Sequence, residues 1–268
     1  MDILDMPSMI RYPRRIHISP VGFEIDRVVI PVIEMEADKV WLITERDPEL
    51  DKGRVYLEQV ESEIHQRNEN CEIEIKRCDF DSRDLYDVLR AFREIVVQEK
   101  ENHIFINVST GTKIHAIAGM MACMIFKDLA VNLIPYYAKP DTYLPLPEEG
   151  TQMSTGCGLI HQLPNYRIER PSDELIKMLS VINQCCNNQA QNVTKSELIR
   201  ELKNRDLLTL SEVEGRPIRN EKVAYYLALQ RKCLEPLRKW NFIEIRPSTK
   251  RGKVHITQEG KNMLKFLD

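Results

Sequence analysis

Ser109, Thr110, Thr112 and Lys113 are the residues of this chain best placed to do chemistry. They stand in one run, Ser109-Thr110-Gly111-Thr112-Lys113, which offers three hydroxyls and a full positive charge around a glycine. Before them lies a short apolar stretch rich in β-branched and aromatic residues, His103 to Val108, which reads as a buried strand. After them Ile114, Ile117, Ala118, Met121 and Ile125 recur at three- and four-residue steps, which predicts a helix. A strand that turns through small residues into a helix leaves backbone N–H groups free at its mouth, and the helix dipole favours negative charge there. The chemistry implied is the holding of phosphate. The run is not a Walker A loop, because Ile114 follows Lys113, and GxGxxG is absent. A plain β-to-α connection with an N-terminal cap would look much the same in the turn alone.

Other chemistry is poorly represented. There are no paired carboxylates at a turn, no GxSxG and no HExxH. His17 and His103 fall within strands and read as core or edge residues, which leaves His115, just after Lys113, as the one histidine placed to act at the site. The seven cysteines are odd in number and scattered without a CxxC, so reduced, mostly buried thiols are expected and no metal site is. Cofactors are expected to be none. With 43% hydrophobic and 29% charged residues, the 268-residue chain is long enough for one large or two ordinary domains. No apolar run approaches the roughly 20 residues that span a bilayer. The first residues carry acids ahead of their basic cluster, unlike a secretory signal. A cytoplasmic protein with no membrane partner is expected. The net charge of −3 hides an asymmetry, −9 over residues 1–170 and +6 over residues 171–268. The basic third is a candidate for nucleic acid.

Strands and helices must position the Ser109–Lys113 turn, and their pattern alternates. Strands are predicted at Arg15–Ser19, Lys39–Thr44, Cys71–Cys78, His103–Val108 and Val131–Tyr137. Helices are predicted at Glu24–Glu36, Leu50–Asn68 (Val55, Leu57, Val60 and Ile64 inward), Leu85–Lys100 and the stretch from Ile114. Asp79 to Ser82 reads as a turn, and Pro135 suggests that the fifth strand lies near an edge. This is the layout of an α/β, Rossmann-like, mostly parallel sheet. With strand order 3-2-1-4-5, the first-strand turn, Pro20-Val21-Gly22-Phe23, lies beside the Ser109–Lys113 turn at the point where the winding reverses. Gly158–Gln162 would return as a closing strand. The expected domains are residues 1–163, a linker at 164–171, and residues 172–268.

The C-terminal domain starts with a helix from Asp173 to Cys186, capped by Ser172. A Thr194/Glu197 capping box opens a second helix, and Asn220–Asn241 is a third. Strands at Phe242–Arg246 and Lys253–Thr257 flank a basic tip, and Glu259–Leu267 closes the domain. Leu234 to Ile243, with its leucines, aromatics and isoleucine, together with Ile256-Thr-Gln-Glu-Gly260, resembles the winged helix-turn-helix regulators of archaea and bacteria. That resemblance implies double-stranded DNA as a partner. Lys222, Tyr225, Tyr226 and Arg231 would meet bases and phosphates from the recognition helix. Lys250, Arg251 and Lys253 would do so from the wing. At least one of the two tyrosines is expected in the core.

The first domain in turn resembles the CARF family, the CRISPR-associated Rossmann-fold sensors of cyclic oligoadenylates. The residues that carry this are Asn107-Val-Ser-Thr-Gly-Thr-Lys113 and Ser19-Pro-Val-Gly-Phe23, which runs on into Glu24. The family's turn commonly has one more glycine. The resemblance implies a homodimer whose two copies share one cyclic ligand, such as cyclic tetra-adenylate. The ligand would be held by Pro20, Gly22, Phe23, Ser109, Thr110, Gly111, Thr112 and Lys113. It further implies an archaeal transcription regulator whose ligand biases the two winged helices. Rival expectations are slow, metal-independent cleavage of the ring by its own ribose 2′-OH, and a Rossmann-like half that only dimerises or serves as a scaffold.

Overall fold

The computed structural model describes residues 12–67, 73–81, 83–145, 148, 150–188, 193–210, 220–246 and 252–267. The chain forms two compact units that divide between Ile168 and Glu169. Among the described residues no helix is long and apolar enough to cross a membrane.

The first unit is a six-stranded sheet in the order β3-β2-β1-β4-β5-β8. Its strands are β1 (Arg15–Pro20), β2 (Lys39–Glu45), β3 (Glu74–Phe80), β4 (His103–Asn107), β5 (Asn132–Lys139) and β8 (Leu159–Gln162). All pair in parallel except β8, which runs antiparallel to β5. A short hairpin of β6 (Thr142–Tyr143) and β7 (Ser154–Thr155) stands between β5 and β8. Pro135 sits where its missing N–H does no harm: β8 pairs only from Tyr136 onward, and Leu163 N donates to the Pro135 carbonyl at 2.9 Å.

Helices α1 (Asp26–Glu34) and α2 (Arg54–Arg67) bury Val28, Val29, Val32, Leu57, Val60 and Ile64 against Val40 and Leu42 of β2. Helices α3 (Leu85–Gln98) and α4 (Lys113–Ile125) pack together, with Gly119 of α4 close to Ile106, Val108 and Phe92. Strand residues alternate between faces, so the core has two layers of helices around one sheet. Each fully buried aliphatic side chain contributes about 1.5–3 kcal/mol relative to exposure.

Several sequence expectations are corrected here. In α2 it is Tyr56 that turns inward, while Val55 is exposed. The Tyr56 hydroxyl draws the helix round by donating to the Thr151 carbonyl at 3.0 Å. Strand β3 reaches Phe80, because the Thr44 hydroxyl bonds the Asp79 carboxylate across the strand pair. Asp84 caps α3 by accepting from Tyr86 N at 2.9 Å. Cys71 and Ser82 lie outside the described residues. The inward face of α4 is His115, Ala118, Gly119, Ala122 and Cys123, not the isoleucine and methionine stripe. A Cβ on Gly119 would already stand 3.0 Å from Val108 Cγ1, so the helix lies too close to the sheet for large side chains.

The second unit has the winged-helix layout. Helix α5 (Asp173–Asn188) begins at Ser172, whose Oγ accepts from Leu175 N. Strand β9 (Val193–Thr194) leads into α6 (Lys195–Asn204) through the expected Thr194/Glu197 capping box. The third helix runs unbroken but is not α-helical throughout. It runs as α7 (Glu221–Leu229), a π-helical segment (Gln230–Leu234) and α8 (Glu235–Lys239). Pro236 has no N–H for the carbonyl one turn back, and the wider turn absorbs that loss. Strands β10 (Ile243–Arg246) and β11 (Lys253–Ile256) pair antiparallel, with β9 on the far side of β11.

The Ile256-Thr-Gln-Glu-Gly260 motif now has a physical reading. The Thr257 hydroxyl donates to the Asn241 carbonyl at 2.7 Å and accepts from Gly260 N, which starts α9 (Gln258–Leu267). A Cβ on Gly260 would lie 2.4 Å from the Phe242 carbonyl oxygen, so only glycine lets α9 begin there.

Candidate functional site

Strands β1 and β4 are adjacent and parallel, and the chain leaves them for helices on opposite faces. The crevice beyond their carboxyl ends is the switch point of the sheet, where ligands of such folds sit. The two turns there touch backbone to backbone. A Cβ on Gly22 would lie 2.8 Å from Gly111 Cα. Gly111 itself has φ +73°, in the left-handed region that favours glycine.

The hydroxyls of the second turn hold the turn itself together. Thr110 is buried, and its Oγ1 donates to the Pro20 carbonyl at 2.7 Å, tying the two turns. Ser109 Oγ donates to Asn107 Oδ1 and accepts from Ala138 N at 3.1 Å. Thr112 is the N-cap of α4, with Oγ1 accepting from His115 N at 3.4 Å. Pro20 is buried. The groups left without a partner are of another kind. Among the described residues, the N–H groups of Gly22 and Phe23 in the first turn and of Gly111, Lys113 and Ile114 in the second have no protein acceptor. The Lys113 side chain is exposed beside them. Backbone donors, a helix N-terminus and one ammonium converge on the same mouth, and that arrangement suits an anion.

His115, the histidine placed by the sequence to act at the site, is buried instead. It is the third residue of the capping box, with Nδ1 accepting from Thr112 N at 3.0 Å and its ring edge-on to Phe80. Its Nε2 is buried and unpartnered among the described residues. Burial pushes its pKa down to about 4, against the opposing charge of Glu45. A neutral ring with both nitrogens inside the protein is a structural cap and not a base for chemistry at the mouth.

Beneath the turns lies a buried polar scaffold that sequence reasoning missed. Asn107 Nδ2 donates to the Arg27 carbonyl at 2.8 Å, and Arg27 Nε donates to the Ala138 carbonyl at 2.8 Å. The guanidinium pairs with Glu24 at 3.4 Å and lies over the Tyr137 ring. Ser154 Oγ donates to the other Glu24 oxygen at 2.6 Å. From the same hairpin Gln152 Oε1 accepts from Ile25 N and Asp26 N, capping α1. Each residue of Gly22-Phe23-Glu24 is thus accounted for. Gly22 meets Gly111, Phe23 leans on Tyr56 at a tilt, and Glu24 anchors the hairpin.

In the winged-helix unit, Lys222, Tyr225 and Tyr226 come together in a cleft of about 610 Å³ between α6 and α7, with Ser196 and Lys203. Neither tyrosine is fully buried. Lys203 Nζ stands 3.9 Å over the Tyr225 ring, and the Tyr226 hydroxyl is bonded to Ser196 Oγ. Arg231 falls in the π-helical segment, exposed, about two and a half turns along the helix from Lys222. Lys253 is half-buried at the start of β11, opposite Arg246. Lys250 and Arg251 lie outside the described residues. Ser196 and Lys203 were missed, although the capping box pointed to the helix that carries them.

Comparison with known proteins gives two family models. One, described as HFX_2341_N-like, N-terminal, matches residues 15–143. The other, the DUF6293 C-terminal winged helix domain, matches residues 174–268. Among curated proteins, the uncharacterized protein MJ1513 of Methanocaldococcus jannaschii is 29% identical over 134 residues. That is 48% of this chain and 39% of the relative, so the chain spans about two fifths of its length. Among solved structures, Can2 from Sulfobacillus thermosulfidooxidans in complex with cyclic tetra-adenylate matches at 15% identity and TM-score 0.37. It covers 94% of this chain and 63% of that one. Enterococcus italicus Csm6 bound to cyclic hexa-2′-fluoro-hexa-dAMP matches at 17% identity and TM-score 0.42, over 86% of this chain and 56% of that one. The fold assignment rests on the strand order and the two family models.

Proposed function

We propose that this chain, whose two parts match models of an HFX_2341_N-like N-terminal domain and a DUF6293 C-terminal winged helix, is a ligand-responsive DNA-binding regulator with a CARF-like sensor. The observation that carries this reading is the pair of touching turns at the switch point, with unpartnered backbone N–H groups beside Lys113. Such a mouth takes phosphate of a nucleotide. A cyclic oligoadenylate, in particular a cyclic tetra-adenylate, has the charge for it. Two chains about a two-fold axis would offer two such mouths to one ring. In this reading the ligand favours one placement of the two winged helices and so changes the half-site spacing they fit. The partners are then double-stranded DNA, the cyclic nucleotide and a second copy of the chain, in the cytoplasm. No group at the mouth is placed as a general base, since His115 is a cap, so sensing is preferred to ring cleavage.

The DNA arm is tested by fluorescence anisotropy of duplex DNA across a salt series. Lys222→Ala should weaken binding and lower the slope of log affinity against log salt by about 0.9 for each phosphate contact removed, twice that in a dimer. Unchanged affinity and slope would remove the cleft between α6 and α7 from the DNA interface. Full binding that does not respond to a bound cyclic oligoadenylate would remove the regulator.

A further inference from the structure

Beside the Gly22 turn lies a cleft that the phosphate mouth does not use. Phe23 is 40% exposed, and its ring leans on Tyr56 with centroids 5.3 Å apart. Phe23, Asp51, Lys52, Val55, Tyr56 and Met153 line an open space of about 560 Å³. Its walls are fixed by the fold. The Tyr56 hydroxyl donates to the Thr151 carbonyl, and Met153 N donates to the Phe23 carbonyl at 2.9 Å. On the other side, Gly53 comes so close to the first turn that a Cβ there would lie 3.4 Å from the Val21 carbonyl oxygen. Walls ordered in advance reduce the entropy lost on binding.

The lining mixes the apolar side chains with Lys52, Thr151 and two carboxylates, Asp51 and Glu148. Asp51 Oδ1 accepts from Gly53 N at 3.0 Å, and no described residue bonds its second oxygen. Burial raises the Asp51 pKa, and the charges of Glu45 and Asp79 add to this against Gly53 N–H and Arg54. That carboxylate gains from any further N–H donor. An exposed aromatic face beside a carboxylate oxygen that no described residue bonds is the chemistry that recognises a nucleobase by stacking and by its amine edge. The cleft also has the right address. Phe23 directly follows Gly22, which touches Gly111, so a nucleotide with its phosphate at the mouth has its base within reach of Phe23.

We propose that this cleft is the base subsite of the ligand, with Phe23 stacking on a purine and Asp51 accepting from its exocyclic amine. The proposal rests on the nucleotide reading above and adds the specificity determinants to it. It makes the amine, and not the ring alone, the feature that selects the ligand.

The test is a binding titration of cyclic tetra-adenylate and of the same ring built from inosine, which carries a carbonyl in place of the amine. Wild type, Phe23→Leu, Asp51→Asn and Lys113→Ala chains are compared. Wild type should prefer the adenine ring by about tenfold. Phe23→Leu, which keeps an apolar side chain against Tyr56, should weaken both rings by about tenfold. Asp51→Asn can both donate and accept, and should erase the preference. Lys113→Ala should lose both rings. If Phe23→Leu and Asp51→Asn bind and discriminate as wild type does while Lys113→Ala fails, the base subsite is wrong and the phosphate mouth stands. If wild type binds neither ring, the nucleotide reading falls and the subsite with it.

Discussion

Between pH 6.5 and about 4 the first unit should lose stability at up to about 2.7 kcal/mol per pH unit, because His17 and His115 are buried as neutral rings. His17 is fully buried in β1, its Nδ1 3.2 Å from the Tyr136 hydroxyl and its ring stacked on Phe105. Burial, helped by Arg15, holds its pKa at about 3. His115 is held at about 4 by burial. Both folded values lie below the unfolded value of 6.5. The unfolded chain therefore binds more protons than the native one across this window, and stability falls as pH falls. Above pH 6.5 both forms are neutral and the effect is absent. Each ring accounts for about half of the slope. His115→Gln separates its share, because Gln at the third helical position can keep the reciprocal cap with Thr112. Native-state hydrogen exchange at the Ile18 and Ile106 amides reports on this unit alone. At pH 5 the variant should have recovered about 2 kcal/mol of the wild-type loss relative to pH 7. Identical pH dependence in the two proteins would show that His115 is not buried neutral.

Gly111→Ala should destabilise the first unit by about 2–4 kcal/mol and abolish ligand binding. Two costs combine. At φ +73° an L side chain costs about 1–2 kcal/mol. The new Cβ would also lie 2.3 Å from His115 Nδ1 and 2.8 Å from Pro20 Cβ. Relief of that clash displaces the ring that caps α4, a loss of about 1 kcal/mol or more. Gly150→Ala is the natural control. It has φ +84° but nothing within 4 Å of its Cβ, so only the backbone cost of about 1–2 kcal/mol remains. The difference between the two variants, read by thermal or denaturant unfolding, measures the contact between the turns. Equal losses would mean that Pro20 and His115 yield freely and that the two turns are not locked together.

The contrast between these glycines shows how far the chain could be read without its structure. The alternation of strands and helices was legible, as were the strand order beside the switch point and the local caps at Ser172 and Thr194. Those features depend on hydrophobic period or on residues three apart. What was not legible depends on partners distant in sequence. The Thr110 hydroxyl bonds a carbonyl 90 residues away, and Ser154 bonds Glu24 across 130 residues. No window of sequence contains both ends of such a bond. The same limit hides which face of α4 turns inward. Periodicity marks an apolar stripe, but how near the helix lies to the sheet decides which residues fit beneath it, and here Ala118, Gly119 and Ala122 do. The Phe23–Tyr56 cleft escaped notice for a related reason. A single phenylalanine in a turn has no period, and its exposure is a property of the fold.

Calorimetric titration of cyclic tetra-adenylate into the full chain, beside Lys113→Ala, tests the central claim most directly. Lys113 is exposed, so its removal should leave the fold intact while taking away the positive charge of the Ser109–Lys113 turn. Saturating binding at one ring per two chains, weakened about tenfold to a hundredfold or more in the variant, is the result expected of charge-assisted contacts shared by two copies. No binding to wild type, or equal binding to both proteins, would contradict the assignment of the paired turns as the ligand site.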